Sequence, residues 1–392
     1  MLEAHGIFFG DGLLPTCADA FVAPADKLAR WSSQAERLVG TMEQLATALV
    51  DDAAFCSSLG LDPEALALLR TDHGYSRTCV LCRPDGIPIG NDVKLVELNS
   101  DSPAMMMFLD IVAQCLLELP VFEQLRGNVQ LPRAADHLLD ALLECHREHP
   151  CYRGVAPRIA IADWEGQKTR FEHQRLAEHF CAHGNETVVC DPRALELVDG
   201  ELRFEGQRID VVYRRALSAE ILERRSEVAP LLRAYRDGLV CMVNPLRSYL
   251  VGTKSVLSRP EVLATTDVPR TLVLNSELAR EMVIASQNRW ALKRSQGHGG
   301  DGVVLPEPEN EAAWAQAIKA SRHEVWIAQE YLQVPRVTLR VVEGGVVREV
   351  DKFFNWNPFI FGGRYAGSIV RVSDSPLINI TLGGGLLPTF TG

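Results

Sequence analysis

Four of the six residues 297–302 are glycine, and the residues that follow them restrict the folds open to this chain. The spacing satisfies the G-x-G-x-x-G fingerprint, which requires its third glycine to lie in an opening helix. Residues 303–305 are Val-Val-Leu and Pro306 follows, a pattern typical of a strand and its end. No Gly-Lys pair follows, so a Walker-type phosphate loop is excluded as well. We therefore predict a glycine hairpin, either without a ligand or folded over phosphates beside Lys293.

A polar pair interrupts the apolar stretch 93–99, which is predicted to be a strand. Glu97 and Asn99 are two positions apart, so their side chains point to one face. A carboxylate and an amide oxygen side by side suit Mg²⁺, and Asp101 supplies a further acid at the strand's end. The alternative is a solvated polar face on an edge strand, and these residues alone do not decide between the two.

Residues 326–332 form an apolar stretch that ends in Gln-Glu-Tyr-Leu. Such a strand can present backbone groups to the edge of an adenine while its side chains line an apolar slot. The pattern alone does not distinguish a nucleotide site from an ordinary strand end.

The periodicity of the remaining chain predicts an α/β (α+β) protein. Apolar residues recur every three or four positions from Leu28 to Leu49, which indicates a helix whose apolar face is either a core face or a dimer seam. Strands are expected at 75–83 and 93–99, joined by a turn at 84–86, and strands and helices alternate over 158–213, which favours a parallel layer. Further helices are predicted at 63–71, 104–119, 132–147, 168–183, 217–236, 276–287 and 309–321.

Charge and cysteine usage exclude several classes of protein. Forty basic against 51 acidic residues give a net charge of −11, which disfavours nucleic acid and anionic membranes as partners. No apolar run has the length of a membrane span, and residues 1–5 lack a basic signal-peptide region, so we expect a soluble, cytoplasmic protein. Cys79 and Cys82 form a C-x-x-C pair without a second pair, and a strand there would point their thiols to opposite faces, which disfavours a zinc or redox role.

In type and in order, these features resemble the ATP-grasp ligases, and in particular the permuted ATP-grasp family of glutathionylspermidine synthase. Residues 97–103 are similar to that family's E-x-N-x-(D/E)-(S/T)-P segment and residues 209–215 to its I-D-x-x-Y-x-R strand. An Asn-Pro pair at 244–245 precedes Lys254, and residues 363–373 resemble the closing strands. The polar strand precedes both lysines in the chain, as the permuted arrangement requires. The resemblance covers residues 75–392.

The resemblance implies a permuted ATP-grasp architecture with an αβ substrate-side lobe and a strand-rich nucleotide-binding lobe. It suggests a helical segment at 1–74, an αβ lobe at 75–245 and the nucleotide lobe at 246–392. It further implies an ATP- and Mg²⁺-dependent ligase that joins a carboxylate to an amine through an acyl phosphate, with small substrates of the amino acid, peptide or polyamine type. The alternative is a catalytically decayed nucleotide-binding or scaffold protein of the same fold, and a homodimer is compatible with either.

The resemblance also implies roles for individual residues. Arg77 is the expected catalytic arginine, but the family's acid two positions later is Cys79 here. The third metal ligand is therefore missing, shifted, or replaced by Asp85 or Asp101. The expected ATP contacts are Lys254, Lys293, Gly299, Gly300, Gln329, Glu330 and Leu332, the metal ligands are Glu97 and Asn99, and the substrate contacts are Asp101, Ser102, Arg214, Arg215, Arg247 and Arg364.

Overall fold

The computed structural model describes residues 2–297, 302–343, 346–378 and 384–392. The helices in these ranges are α1 (Ala25–Asp51), α2 (Ala53–Ser58), α3 (Pro63–Arg70), α4 (Met106–Glu118), α5 (Ala134–Glu148), α6 (Arg170–Ala182), α7 (Ser218–Glu223), α8 (Ala229–Arg236), α9 (Ser248–Val251), α10 (Pro260–Leu263), α11 (Glu277–Ile284) and α12 (Glu311–Ala320). None of them combines the length and the apolar character that crossing a bilayer requires.

The strands within the same ranges form three larger sheets and two small ones. They are β1 (Phe8–Phe9), β2 (Gly12–Leu13), β3 (Phe21–Ala23), β4 (Leu81–Ile89), β5 (Asp92–Asn99), β6 (Ile159–Ala162), β7 (Thr187–Cys190), β8 (Glu196–Val198), β9 (Glu201–Phe204), β10 (Gln207–Arg208), β11 (Val211–Arg214), β12 (Cys241–Val243), β13 (Thr271–Val273), β14 (Trp290–Arg294), β15 (Val303–Val304), β16 (Trp326–Glu330), β17 (Arg336–Glu343), β18 (Val346–Phe361), β19 (Arg364–Ser373) and β20 (Gly385–Thr391).

The apolar face of α1 is a core face of the chain itself, as its spacing predicts. Trp31 is fully buried and its ring lies 5.3 Å from that of Trp356 on β18. On the same helix, Arg37 bonds through Nε to the Asp267 carboxylate at 2.6 Å. Burial of one helical face in this way removes apolar surface from water at about 25 cal/mol per Å².

The strand–helix alternation over 158–213 folds into a four-stranded parallel sheet in the order β12-β11-β6-β7. Helix α5 packs against β11 and β12, and α6 packs against β7. The sequence-based prediction of a parallel αβ layer is therefore confirmed: helices connect β6 to β7 and β11 to β12, whereas β8–β10 lie between β7 and β11.

A seven-stranded sheet in the order β3-β20-β19-β18-β4-β5, with β17 on β18, carries much of the remaining chain. Its strands come from the first 25 residues, from 81–99 and from 336–391, so all three predicted domain ranges contribute to one sheet. The division at 74/75 and 245/246 stays a prediction, and the sheet is built across both positions.

The β4–β5 hairpin corrects the prediction of a turn at 84–86. Strand β4 continues through those residues to Ile89, and the chain reverses at Gly90, whose φ is +60°. Gly86 lies beside a register shift, where an added Cβ would stand 2.6 Å from Val93 Cγ2 and 3.0 Å from the Trp356 carbonyl oxygen. The Pro-Asp-Gly sequence marks a bulge in a crowded sheet instead of a turn, because only glycine fits there.

The start of β4 also corrects the prediction for the C-x-x-C pair. The strand begins at Leu81, so Cys79 lies outside it and the period-two argument does not apply. The two thiols lie together in the apolar core, and the hydrogen bond to Cys82, together with burial, raises the pKa of Cys79. A thiol held in its neutral form is a poor metal ligand or nucleophile.

The third larger sheet has the order β13-β16-β14-β15 and is antiparallel. Strands β14 and β15 pair through Lys293 and Val303, which confirms that the glycine segment joins two antiparallel strands. The segment itself, with Gly299 and Gly300, lies outside the described residues, as do Asn379 and Gly383.

Candidate active site

A cleft of about 240 Å³ separates the β13–β16 sheet from the edge of the seven-stranded sheet. Strands β4, β5, β18 and β19 supply polar side chains on one side, and β14, β15 and β16 supply the other wall. The polar and charged residues that line it are Arg83, Asp85, Glu97, Asn99, Lys293, Gln329, Glu330, Tyr331, Asn355 and Arg371.

Four polar side chains of the β4–β5 hairpin share one face in this cleft. Arg83 pairs with Asn99, and Asp85 pairs with Glu97, across the antiparallel ladder. Directly opposed residues and residues two apart on a strand point to the same side, so one guanidinium and three oxygen-bearing groups converge. The Asn99 amide nitrogen donates to the Arg83 carbonyl oxygen at 3.1 Å and to Asp85 Oδ1 at 3.3 Å, which leaves its amide oxygen for a cation.

Asp85 is held as a carboxylate by two arginines. Arg371 Nη2 donates to Asp85 Oδ2 at 2.7 Å, and Arg83 Nε lies 3.6 Å from Asp85 Oδ1. Burial opposes ionisation of Asp85, but the charges of Arg371 and Arg83 outweigh it and hold its pKa below the usual value. The same Arg371 nitrogen donates to Asn357 Oδ1 at 2.8 Å, which fixes the guanidinium in place.

Arg83 lines the cleft and has a buried Nε donor. Its Nη1 donates to the Ala104 carbonyl oxygen at 3.1 Å, whereas its buried Nε has no hydrogen-bond partner among the described residues. Burial lowers the pKa of this guanidinium, although an arginine remains protonated at neutral pH. Its Nε lies at ion-pair distance from Asp85 Oδ1, and a guanidinium in the cleft can also bind phosphate oxygens through charge-assisted hydrogen bonds.

Two lysines lie opposite the hairpin that carries the carboxylates of Asp85 and Glu97. Lys293 is buried and donates from Nζ to Gln329 Oε1 at 2.7 Å and to the Val96 carbonyl oxygen at 3.1 Å. Burial lowers the pKa of Lys293 to about 8, while the negative charge of Glu97 counteracts that effect. Lys254, also buried, places Nζ 3.1 Å from Glu97 Oε1 and 2.7 Å from the Gly297 carbonyl oxygen. Together with Arg83 and Arg371, these lysines place four cations around the carboxylates of Asp85 and Glu97.

The end of β16 supplies the apolar part of the cleft. Gln329, Glu330 and Leu332, which are predicted to contact ATP, all line the cleft. The Gln329 side chain, however, bonds Lys293 and the Thr271 hydroxyl at 3.1 Å, so it positions the lysine. Apolar residues complete the walls; they are Ile87, Val96, Ala291, Val303, Leu305 and Val334.

A second cavity of about 220 Å³ adjoins the first and shares Glu97 and Asn99 with it. Ser102 and Asp101 line it, as do Tyr249 and Gln296, whose amide donates to the Tyr249 hydroxyl at 2.6 Å. Among its described lining residues there is no arginine or lysine.

The three arginines predicted to grip a substrate carboxylate are engaged elsewhere. Arg214 is fully buried and bonds Asp101 Oδ1 at 2.6 Å, together with three backbone carbonyl oxygens. Arg215 bonds the Pro103 carbonyl oxygen and the Tyr213 hydroxyl. Arg247 holds the carbonyl oxygens at the end of α3, with Nε 3.0 Å from that of Leu69. Each guanidinium is part of the packing.

Arg77 and Arg364 are exposed, and neither lines the two cavities. The Arg77 guanidinium lies beside Gly363, where an added Cβ would stand 2.8 Å from its Nη1. The structure therefore does not bring the predicted catalytic arginine to the cleft, and Arg83 and Arg371 lie there instead.

Sequence reasoning missed Arg83, Asn355 and Arg371 as cleft residues and gave Asp85 only as one alternative for the third metal ligand. A signal for Arg83 and Asp85 existed, because they have the two-residue spacing that the resemblance requires, and they face Glu97 and Asn99. Because a turn was predicted at residues 84–86, Arg83 and Asp85 were not placed on one strand and their spacing was not recognised. Asp85 was one of the alternatives for the third metal ligand, and the structure places it in the cleft, whereas Asp101 is bound by Arg214 and Ser218.

The predicted α/β fold class is confirmed, and the fold is similar to that of a glutathione synthetase-like protein of known structure. Over its whole length the chain matches the solved structure of a glutathione synthetase-like effector from Globodera pallida, with 12% identity, a TM-score of 0.64 and 94% of that chain covered. This identity is low enough that the match establishes the architecture alone.

Two shorter or weaker structural matches accompany it. A putative γ-glutamylcysteine synthetase from Methylobacillus flagellatus KT is 12% identical with a TM-score of 0.46, over 90% of this chain and 88% of the other. A RimK-domain ATP-grasp protein from Sphaerobacter thermophilus is 18% identical with a TM-score of 0.34, over 59% and 89% of the two chains. By sequence, neither the models of known protein families nor the curated proteins give a match.

Proposed function

We propose that the protein is an ATP- and Mg²⁺-dependent ligase that joins a carboxylate to an amine. The observation that carries this proposal is the convergence of three oxygen donors, Asp85, Glu97 and Asn99, opposite buried Lys293 in a cleft between two sheets. Three oxygen donors suit Mg²⁺, which takes its remaining ligands from water and phosphate. Mg²⁺ there would neutralise charge on the β- and γ-phosphate oxygens.

Other residues bind the nucleotide and stabilise the transferred phosphoryl group. Lys254 and Lys293 hold the α- and β-phosphates, Arg83 and Arg371 stabilise charge on the transferred phosphoryl group, and the end of β16 holds the adenine through backbone groups. The substrate carboxylate attacks the γ-phosphorus and ADP leaves, which gives an acyl phosphate. The amine then attacks the acyl carbon, phosphate leaves, and the nitrogen loses a proton to give the amide.

The second cavity is the proposed place for the acceptor substrate. It adjoins Glu97 and Asn99 and offers hydroxyl and amide groups, among them Ser102, Tyr249 and Gln296. Since its described lining contains no cation, we propose that it takes neutral or amine-bearing parts of the substrates, while the reacting carboxylate lies toward the Arg83 side.

The test is an assay of ADP and phosphate release with ATP, Mg²⁺ and pooled carboxylates and amines, with hydroxylamine as a trap for acyl phosphate. We expect release that depends on both substrates and a hydroxamate when hydroxylamine replaces the amine. Glu97→Gln, which keeps the shape and removes the charge, should abolish it. ADP release without free phosphate would indicate a kinase. Nucleotide binding without turnover under any pool would favour the decayed protein.

A further inference from the structure

A second cluster of potential metal ligands lies away from both cavities, where α5 and α6 pack together. Asp136 on α5, His179 on α6 and His183 directly after α6 bring their ligand atoms within 4.8 Å of one another. Helices α5 and α6 contact each other, and the three side chains are half-buried to exposed. An entry path for an ion is therefore open.

The two histidines are four residues apart, so they lie on one face of the helical turn, and their ring centroids are 4.3 Å apart. His179 Nε2 lies 2.7 Å from Asp136 Oδ1. This oxygen is also 3.7 Å from His183 Nε2, so one carboxylate oxygen faces both imidazoles.

The orientation of His183 points to a metal. Its Nδ1 lies 2.8 Å from the His179 carbonyl oxygen, and because a carbonyl oxygen only accepts, Nδ1 carries the proton. In the neutral ring, the lone pair of Nε2 is then directed at the Asp136 carboxylate, which repels it. A ring whose second nitrogen is fixed by a backbone carbonyl is the usual arrangement of a metal-bound histidine.

The other Asp136 oxygen is already engaged. Oδ2 accepts from Arg133 Nε at 2.6 Å, which orients the carboxylate and leaves Oδ1 toward the imidazoles.

We infer that Asp136, His179 and His183 form a binding site for a borderline divalent cation of the Zn²⁺ class. Two imidazole nitrogens and one carboxylate oxygen are ligands that Zn²⁺ accepts, with water in the fourth position. Mg²⁺ prefers oxygen ligands alone and should not compete. A bound metal ion would link α5 to α6, the two helices that pack against the parallel sheet.

The experiment is a calorimetric titration of the chelator-treated full-length protein with ZnCl₂, without nucleotide and with Mg²⁺ in excess. We expect one ion per chain, and His183→Asn should weaken binding about tenfold or more because a ligand is lost. His183 lies beyond the helix and its side chain is 48% exposed, so this variant should fold, which far-UV circular dichroism checks. His137→Asn, at an exposed histidine next to Asp136, is the matched control.

Two further variants separate this site from others. Cys181→Ser removes an exposed thiol from α6 and Asp85→Asn alters the cleft, and neither should change zinc affinity. Zinc should also raise the melting temperature of wild type and not of His183→Asn, because a ligand that binds only the folded state stabilises it. Equal affinity in wild type and His183→Asn, or loss of binding in Cys181→Ser, would overturn the assignment. The ligase proposal is unaffected by either result.

Discussion

Arg371 and Asp85 are 286 positions apart in the chain and form a buried ion pair at 2.7 Å. The pair joins the closing strand β19 to the hairpin that carries the proposed metal ligands. Asp85 is one of the alternatives for the acid that Cys79 replaces, and it lies two residues after Arg83 on β4.

The first prediction concerns this carboxylate. Asp85→Asn keeps the shape but removes a charge that Mg²⁺ requires, so the Mg²⁺ concentration for half-maximal ADP release should rise about tenfold or more. Asp92→Asn, on the same hairpin in an exposed pair with Arg30, is the matched control and should leave that concentration unchanged. A Mg²⁺ dependence of Asp85→Asn identical to wild type would remove Asp85 from the metal site.

The second prediction compares two arginines near β4. Arg83→Gln removes a guanidinium from the cleft and should lower kcat by roughly 10²–10³-fold, the usual effect of losing a donor to developing charge. Arg77→Gln, at an exposed position outside the cleft, should keep kcat within about twofold, since surface substitutions are usually small in effect. Steady-state kinetics at saturating ATP measures both. The reverse ranking would restore Arg77 as the catalytic arginine.

The fold was largely predictable from sequence where one periodic pattern acts alone. The stripe from Leu28 to Leu49 gave α1, and the strand–helix alternation gave the parallel sheet, because burial of one face decides both. The seven-stranded sheet was not predictable in the same way. It joins Phe21 to Thr389 and Trp356 to Gly86, and no local pattern specifies a pairing between strands so far apart in the chain.

The candidate site was predictable in part for a related reason. Glu97, Asn99, Lys293 and the end of β16 lie in the cleft as expected, since each belongs to a short motif with its own periodicity. Charged residues were harder to assign, because an arginine that binds an anion and one that binds backbone carbonyls look alike in sequence. Arg247 is of the second kind, and Arg214 binds backbone carbonyl oxygens together with the buried Asp101 carboxylate.

The third prediction concerns the pH dependence of nucleotide binding. Burial lowers the pKa of Lys293 to about 8, so the side chain is protonated below that pH and neutral above it. Only the cation attracts phosphate, so ATP affinity should fall as pH rises through 8. Lys293→Met should weaken binding below pH 8 by about 1.5–3 kcal/mol, roughly tenfold to over a hundredfold, and flatten the profile. Calorimetry should find the ATP affinity of Lys319→Met, a change at an exposed lysine, equal to that of wild type. If the ATP affinity of Lys293→Met fell with pH as steeply as that of wild type, the assignment of Lys293 to the phosphate site would be contradicted.

The fourth prediction distinguishes packing from substrate binding at Arg214. Arg214→Met leaves the buried Asp101 carboxylate without its cation and should lower the free energy of unfolding by about 3–5 kcal/mol in urea denaturation. Arg364→Met removes an exposed guanidinium at the start of β19 and should change it by less than about 0.5 kcal/mol. If Arg214→Met instead kept full stability and only raised a substrate KM, Arg214 would be a substrate contact.

The fifth prediction concerns acid sensitivity at His73, which is buried against Tyr75 with ring centroids 4.5 Å apart. Burial lowers the pKa of His73 to about 4, Arg247 adds to that effect, and Asp72 opposes it. Between pH 6.5 and 4 the unfolded chain binds a proton at His73 that the folded chain does not. The contribution of His73 to the free energy of unfolding is therefore complete above pH 6.5 and declines by up to about 3 kcal/mol as the pH falls toward 4.

His73→Phe keeps an aromatic ring and removes the titratable group. Urea unfolding should therefore show a shallower loss of stability over this pH range, by up to about 1.4 kcal/mol per pH unit. His149 and His146 titrate in the same direction and remain in the variant, so the loss is reduced and not abolished. His137→Gln, at an exposed histidine, should follow wild type, and equal slopes in His73→Phe and wild type would show that His73 is not a source of the acid sensitivity.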